Sequence, residues 1–231
     1  MLDVLAWSGG ELLKFAGDAT LVYFPEQENG SQAQWAVRAG QRMLQAIRDF
    51  ENIETPTEKV SLKMKIGVAS GNFIAASIGS ATRMEYAVFG PAISRTMAAE
   101  GASTQAGQLI IDENTNDLLD EAFQSRQHKP GFYSVAVRGE NLGEFEIKAE
   151  QRRARGAMPW NASPQAIVAQ MDVALRQIKA ISPFLAPELV ERIVVHAQQR
   201  RVDSEFRPII ILFCNFTGLE ELFDLWGQEG I

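Results

Sequence analysis

The sequence holds one cysteine, Cys214, and two histidines in 231 residues. A single cysteine excludes an internal disulfide, and the scarcity of both residue types argues against a structural zinc site. A reducing compartment fits that usage. No apolar run is long enough to cross a bilayer; the longest near the end, Ile209 to Asn215, is strand-sized. The opening "MLDVLAW" lacks the basic start and cleavage signature of a secretion signal. Positive charge is also short. The formal net charge of -7 argues against a general nucleic-acid binder, although it does not exclude a nucleotide ligand. These absences predict a soluble, cytoplasmic protein with neither nucleic acid nor membrane as a partner.

What is present is a globular composition, 46% hydrophobic and 22% charged, of a length that suits one good domain plus a remainder. Leu12 to Phe24 reads as a β-hairpin turning at "AGD", with Pro25 closing it. "GSQAQWAVRAGQRMLQAIRDF" reads as a helix with Ser31 as N-cap and an apolar stripe on Ala36, Ala39, Met43, Ile47 and Phe50. "LKMKIGV" alternates, which predicts a strand with Leu62, Met64, Ile66 and Val68 facing in. "SGN" at Ser70 to Asn72 then predicts a hairpin into a second strand, Phe73 to Ile78. "MEYAVFG" is a strand, and Gly90-Pro91 opens a helix running to about Gln105. "GQLIID" is a strand, "ENTNDLLDEA" a short helix, and Phe132 to Val137 a further strand. The order is that of an α/β (α+β) fold with hairpins sharing one sheet.

Around Glu150 the composition changes. "EQRRARGAMPWNASPQ" is charged, then rich in proline, glycine and asparagine, as linkers are. Two amphipathic helices follow, one on Ile167, Met171, Ala174, Leu175 and Ile178, the other starting at Pro187. Arg207 to Asn215 reads as a strand and Leu219 to Trp226 as a helix. The organisation expected is therefore a domain over 1–150, a helical linker over 151–206 and the start of a second domain over 207–231.

Four stretches, "GGELLKFAGDATLVYFP", "LKMKIGVASGNFIAASIGS", "EYAVFGPAISRTMAAEGAS" and "GQLIIDENT", follow one another in a familiar order and spacing. Together they resemble the class III nucleotide cyclases, in the flavour of the soluble tandem-domain adenylyl cyclases. The resemblance covers about Gly9 to Val137 and resumes at Arg207. "SGGEL" is also similar to the turn of GGDEF-type cyclases, but the downstream blocks do not belong there. The class III resemblance implies a ferredoxin-like sheet with helices on one face, followed by a helical connector and an isolated strand-helix. It implies cyclisation of ATP or GTP to the cyclic nucleotide and pyrophosphate, for intracellular signalling. In that reaction two divalent ions, Mg or Mn, stabilise the attacking and leaving oxygens and are held by two carboxylates.

By the same resemblance Asp18 is the second metal carboxylate, and Lys14, Phe15 and Val88 line a nucleotide or effector pocket. The ordinary readings are a turn aspartate and a solvated lysine. The first carboxylate is expected upstream of Met1. Two positions depart from the family. Ser94 and Ala98 stand where it has its transition-state Asn and Arg, and alanine cannot replace an arginine clamp on phosphate. Arg95, one step from Ser94, is expected to point elsewhere. Asn215 stands where the second domain has its first metal aspartate, and an amide there loses the charge that divalent binding needs. No catalytic residue is intact, so the partner required is a second cyclase domain of the parent chain or a second subunit. The competing reading is an inactive pseudocyclase acting as a regulatory or dimerisation module. The strand Pro208 to Asn215 is expected either to fill the gap left by the missing first strand, with Ile209 to Phe213 laddering on the Lys14 to Phe24 hairpin, or to sit on another molecule or stay loosely docked.

Overall fold

A computed structural model describes residues 2–26, 32–137, 163–195, 208–212, 214 and 218. A short helix α1 (Leu2–Trp7) leads into the hairpin β1 (Glu11–Ala16) and β2 (Ala19–Tyr23). Helix α2 (Gln32–Ala46) runs into a 3-10 turn, Ile47–Phe50, and then a two-residue ladder, β3 (Ile53–Glu54) with β4 (Lys59–Val60). Next come β5 (Ile66–Val68), the hairpin β6 (Ile74–Ser80) and β7 (Arg83–Phe89), and α3 (Pro91–Ala102). The strand β8 (Leu109–Asp112), helix α4 (Glu113–Asp117) and the hairpin β9 (Phe123–Lys129) and β10 (Phe132–Val137) follow. Further on lie α5 (Pro164–Ile181), a 3-10 turn at Ser182–Phe184 and α6 (Pro187–Val195). The chain divides into two units, Met1–Phe73 with Pro91–Arg155, and Ile74–Gly90 with Gly156–Ile231.

In the first unit a four-stranded sheet has the order β5-β8-β10-β9, with β5 parallel to β8 and the other pairs antiparallel. "LIID" sets its centre. Leu109, Ile110 and Ile111 are apolar at every position, so alternate side chains demand cover on both faces. Val37 and Leu44 of α2 pack with Leu109 and Ile111, together with Phe123 and Val135. Ala99 and Ala102 of α3 pack with Ile110 on the other face. The α+β class therefore holds, while the expected placement of helices on one face does not: α2 and α3 cover opposite faces of this sheet. Close approach of α3 is made possible by Gly67, where a Cβ would meet the backbone of Thr96 and Glu100.

Other expectations shift for identifiable reasons. The buried stripe of α2 is Ala33, Val37, Gly40 and Leu44 with Ala39 and Met43, while Phe50 is exposed. Gly40 lies against Leu109, and that contact rotates the helix away from the stripe on Ala36, Ile47 and Phe50. The proposed cap Ser31 lies outside the described residues. The alternating run from Leu62 is strand only over Ile66–Val68, and Leu62 is exposed. "SGN" makes no hairpin between β5 and β6: β5 pairs with β8, and β6 pairs with β7 across Ala81 and Thr82. The chain leaves the sheet at Ser70 because that residue is bonded to Asp112 and Thr115. Strand β9 was not anticipated, since "FQSRQHK" is polar along most of an edge strand.

In the second unit β6 and β7 pair in register from Ile74↔Phe89 to Ser80↔Arg83. Ser163 caps α5, its Oγ accepting from the Ala166 amide at 3.3 Å, and Pro164 occupies the first turn. Val168, Met171, Leu175 and Ile178 of α5 are exposed, and neither α5 nor α6 contains a buried residue among those described. Residues 208–212 form no strand, and Ile209, Ile210, Ile211 and Leu212 are each at least 70% exposed. The expected ladder onto the first hairpin is thus not formed by the described part of that segment. Four apolar residues facing solvent are instead left without the cover that a two-sided apolar strand requires. The expected helix at Leu219 to Trp226 lies outside the described residues. No described helix is long and apolar enough to cross a membrane.

Candidate functional site

The β1–β2 hairpin carries three of the nominated residues. Its turn is tight because Gly17 adopts a left-handed backbone (φ 65°), which a Cβ would strain. Asp18 follows at the tip and is exposed. Opposite pairs run Lys14↔Leu21, Phe15↔Thr20 and Ala16↔Ala19, with an irregularity between Leu12 and Lys14. Lys14 is half-buried, whereas Phe15 is 57% exposed. At the open end the Tyr23 hydroxyl donates to Glu11 Oε2 at 2.9 Å, and the Tyr23 ring meets Phe73 edge-on at 5.9 Å. Asp18 is therefore a surface group, while Lys14 is partly covered on the same hairpin.

Ser94 and Ala98 sit one helical turn apart on α3, both exposed, on one face of the helix. Arg95 turns away from that face, as expected. Its Nη2 donates to the Ser70 carbonyl at 3.0 Å, and its Nε lies 3.2 Å from Asp112 Oδ2. That approach is an ion pair rather than a hydrogen bond, since neither atom has a hydrogen-bond partner. Val88 is half-buried on β7, in the second unit. Asn215 lies outside the described residues.

Sequence reasoning missed a polar cluster around Asp112, at the carboxyl ends of β5 and β8. Asp112 caps α4: its Oδ1 accepts from the Thr115 amide at 2.9 Å, the Thr115 hydroxyl at 2.6 Å and the Ser70 amide at 3.3 Å. Ser70 Oγ and Thr115 Oγ1 are 2.8 Å apart, and Asn114 Nδ2 donates to the Ser70 carbonyl at 3.3 Å. An Asp followed three residues later by Thr is a readable cap signature in "DENT". The partnership with Ser70 and Arg95 joins distant segments, so it has no local signal. The cluster holds the start of α3 to the sheet. A separate open depression of about 850 Å³, lined by residues including Gln41, Phe123, Arg126 and Val135, contains none of the nominated residues.

Among the described residues no three His, Cys, Asp or Glu side chains gather as a metal site would require. Asp18 by itself supplies one anionic ligand, whereas a bound divalent ion takes six or more oxygens and usually more than one carboxylate or a phosphate. The described residues alone do not fit a divalent pair.

The family model "Adenylate and Guanylate cyclase catalytic domain" matches residues 4–150. The chain belongs to this family. Members are generally metal-dependent. This cyclase-family chain is 29% identical over 157 residues to the photoactivated adenylate cyclase subunit beta of Euglena gracilis, covering 64% of this chain and 18% of that protein. It is 24% identical over 226 residues to adenylate cyclase type 10 of Mus musculus, covering 92% of this chain and 13% of that one. The chain thus spans less than a fifth of the length of these curated relatives. The crystal structure of the adenylyl cyclase CyaB from P. aeruginosa shares the fold, with a TM-score of 0.50 and 23% identity over 62% of this chain and 79% of that one.

Proposed function

We propose that this chain contributes part of a nucleotide cyclase, which makes a cyclic nucleotide and pyrophosphate from ATP or GTP for intracellular signalling. The observation that carries this reading is the family match over residues 4–150, within which Asp18 and Lys14 share one solvent-facing hairpin. Asp18 is assigned as one metal carboxylate, and Lys14, Phe15 and Val88 as pocket residues for the nucleotide or an effector. Divalent ions, Mg or Mn, supply charge stabilisation to the reacting oxygens in such a site. Because the described residues cannot hold the ions alone, no catalytic step is assigned to them. The Asn and Arg work belongs to a second cyclase domain or subunit. The match to the mouse relative over 92% of the chain extends well past residue 150, which supports a linker over 151–206 and a second-domain start over 207–231.

One observation favours a second reading, a pseudocyclase that regulates or dimerises. Ser94 and Ala98 present a hydroxyl and a methyl where an electrostatic clamp is needed, and Arg95 is committed to Asp112 and Ser70. The two readings part in the longer parent protein. Cyclic nucleotide formed there with Mg or Mn, and lost on Asp18→Ala, supports the half-site. A parent that binds nucleoside triphosphate yet forms no product supports the pseudocyclase.

A further inference from the structure

The β6–β7 hairpin belongs with the connector helices rather than with the sheet. Two-stranded hairpins are marginal in water and need a covering surface. Among the described residues the principal element packed against this one is the Ser182–Phe184 turn, which lies on β7. That turn is stiff. Pro183 fixes its backbone, the Leu185 amide donates to the Ser182 carbonyl at 3.1 Å, and the Ser182 amide donates to the Ile178 carbonyl, which makes it continuous with α5. All three residues of the turn are half-buried, as are Ala87, Val88 and Phe89 at the end of β7.

The strands of the hairpin leave the first unit after Phe73 and return at Pro91, and within that unit the Ala92 amide donates to the Asn72 carbonyl at 3.2 Å. Gly90 returns the chain with φ 121°, a conformation open to glycine and strained for other residues. A two-stranded arm of this kind depends for its order on whatever covers its face.

We propose that the connector clamps this hairpin: α5 and its terminal turn form a rigid lever on β7, so that displacing the connector releases the hairpin and shifts its Val88 end. The clamp is a conformational relay from residues 164–184 to residues 74–90. It does not depend on the cyclase reading.

Hydrogen exchange on the whole chain tests it. Phe184→Ala should speed exchange of the Ala75 to Val88 amides by about tenfold or more, with Leu109 to Ile111 unchanged, and Phe184→Leu should restore most of the protection. Unchanged exchange in the hairpin overturns the proposal. Should Phe184→Ala expose Leu109 to Ile111 as well, cysteine cross-linking replaces it. In a Cys214→Ser background, Phe184→Cys combined in turn with Met84→Cys, Tyr86→Cys or Val88→Cys should give an intramolecular disulfide in at least one pair. Failure of every pair overturns the clamp.

Discussion

Asp18 and Asp112 are both aspartates next to turns, yet the first is exposed and the second is buried among hydrogen-bond donors. Asp18 is exposed on the hairpin tip, so Asp18→Ala should leave stability within about 0.5 kcal/mol, as surface changes usually do. In the parent protein it should abolish cyclase activity, and retention of activity with ordinary metal dependence would reduce it to a turn residue. Asp112 has a side chain only 4% exposed and accepts three hydrogen bonds. Asp112→Ala removes the cap and strands the Ser70 and Thr115 donors, at a cost of roughly 2–4 kcal/mol. Arg95, at 41% side-chain exposure, is screened by water, so Arg95→Ala should cost less, about 1 kcal/mol. Urea midpoints measure this ordering, and a larger loss for Arg95→Ala would contradict the geometry. Asp18 was legible from "AGD" and its neighbours because a turn residue is a local feature. The role of Asp112 was not, since Ser70 and Arg95 are brought to it only by the tertiary fold.

At the scale of elements, legibility follows how much of the pattern is local. The first hairpin, α3 and β8 stand close to their expected bounds, because a glycine turn, a Gly-Pro start and an unbroken apolar run each mark a boundary. The pairing partner of β5 was misread. A parallel neighbour more than forty residues away leaves no signature, whereas "SGN" imitates a hairpin turn. Close packing of α3 on β5 was equally silent, although it requires a residue without a Cβ at Gly67. Gly67→Ala should push α3 outward and cost about 1–3 kcal/mol, the range for overpacking. Thermal unfolding checks it; a neutral outcome would mean that α3 moves off without loss. For the connector, Ser163→Ala should cost α5 about 1 kcal/mol of helix stability. The loss should be visible as faster amide exchange in its first turn rather than in the core around Ile110.

Across the whole molecule, what the chain lacks decides its behaviour more than what it contains. Among the described residues of its cyclase-family region Asp18 is the one proposed metal carboxylate, and Ser94 and Ala98 stand at the positions proposed for the transition-state groups. Loss of a single such electrostatic group typically lowers a rate by about a hundred- to a thousand-fold. Several missing at once should bring turnover to background. Purified chain incubated with ATP or GTP and with Mg or Mn should therefore release little or no cyclic nucleotide, and robust turnover would sink the shared-site reading. The same shortage has a physical face at Ile209 to Leu212, where four apolar side chains meet solvent with no ladder among the described residues. Such a segment invites edge-to-edge association. Ile210→Lys places a charge in the middle of it and should shift sedimentation toward smaller species at high concentration. Because the Ile210 side chain is fully exposed, the thermal midpoint should stay where it was. A fall in that midpoint would instead show that the segment is buried in solution against a surface of its own chain.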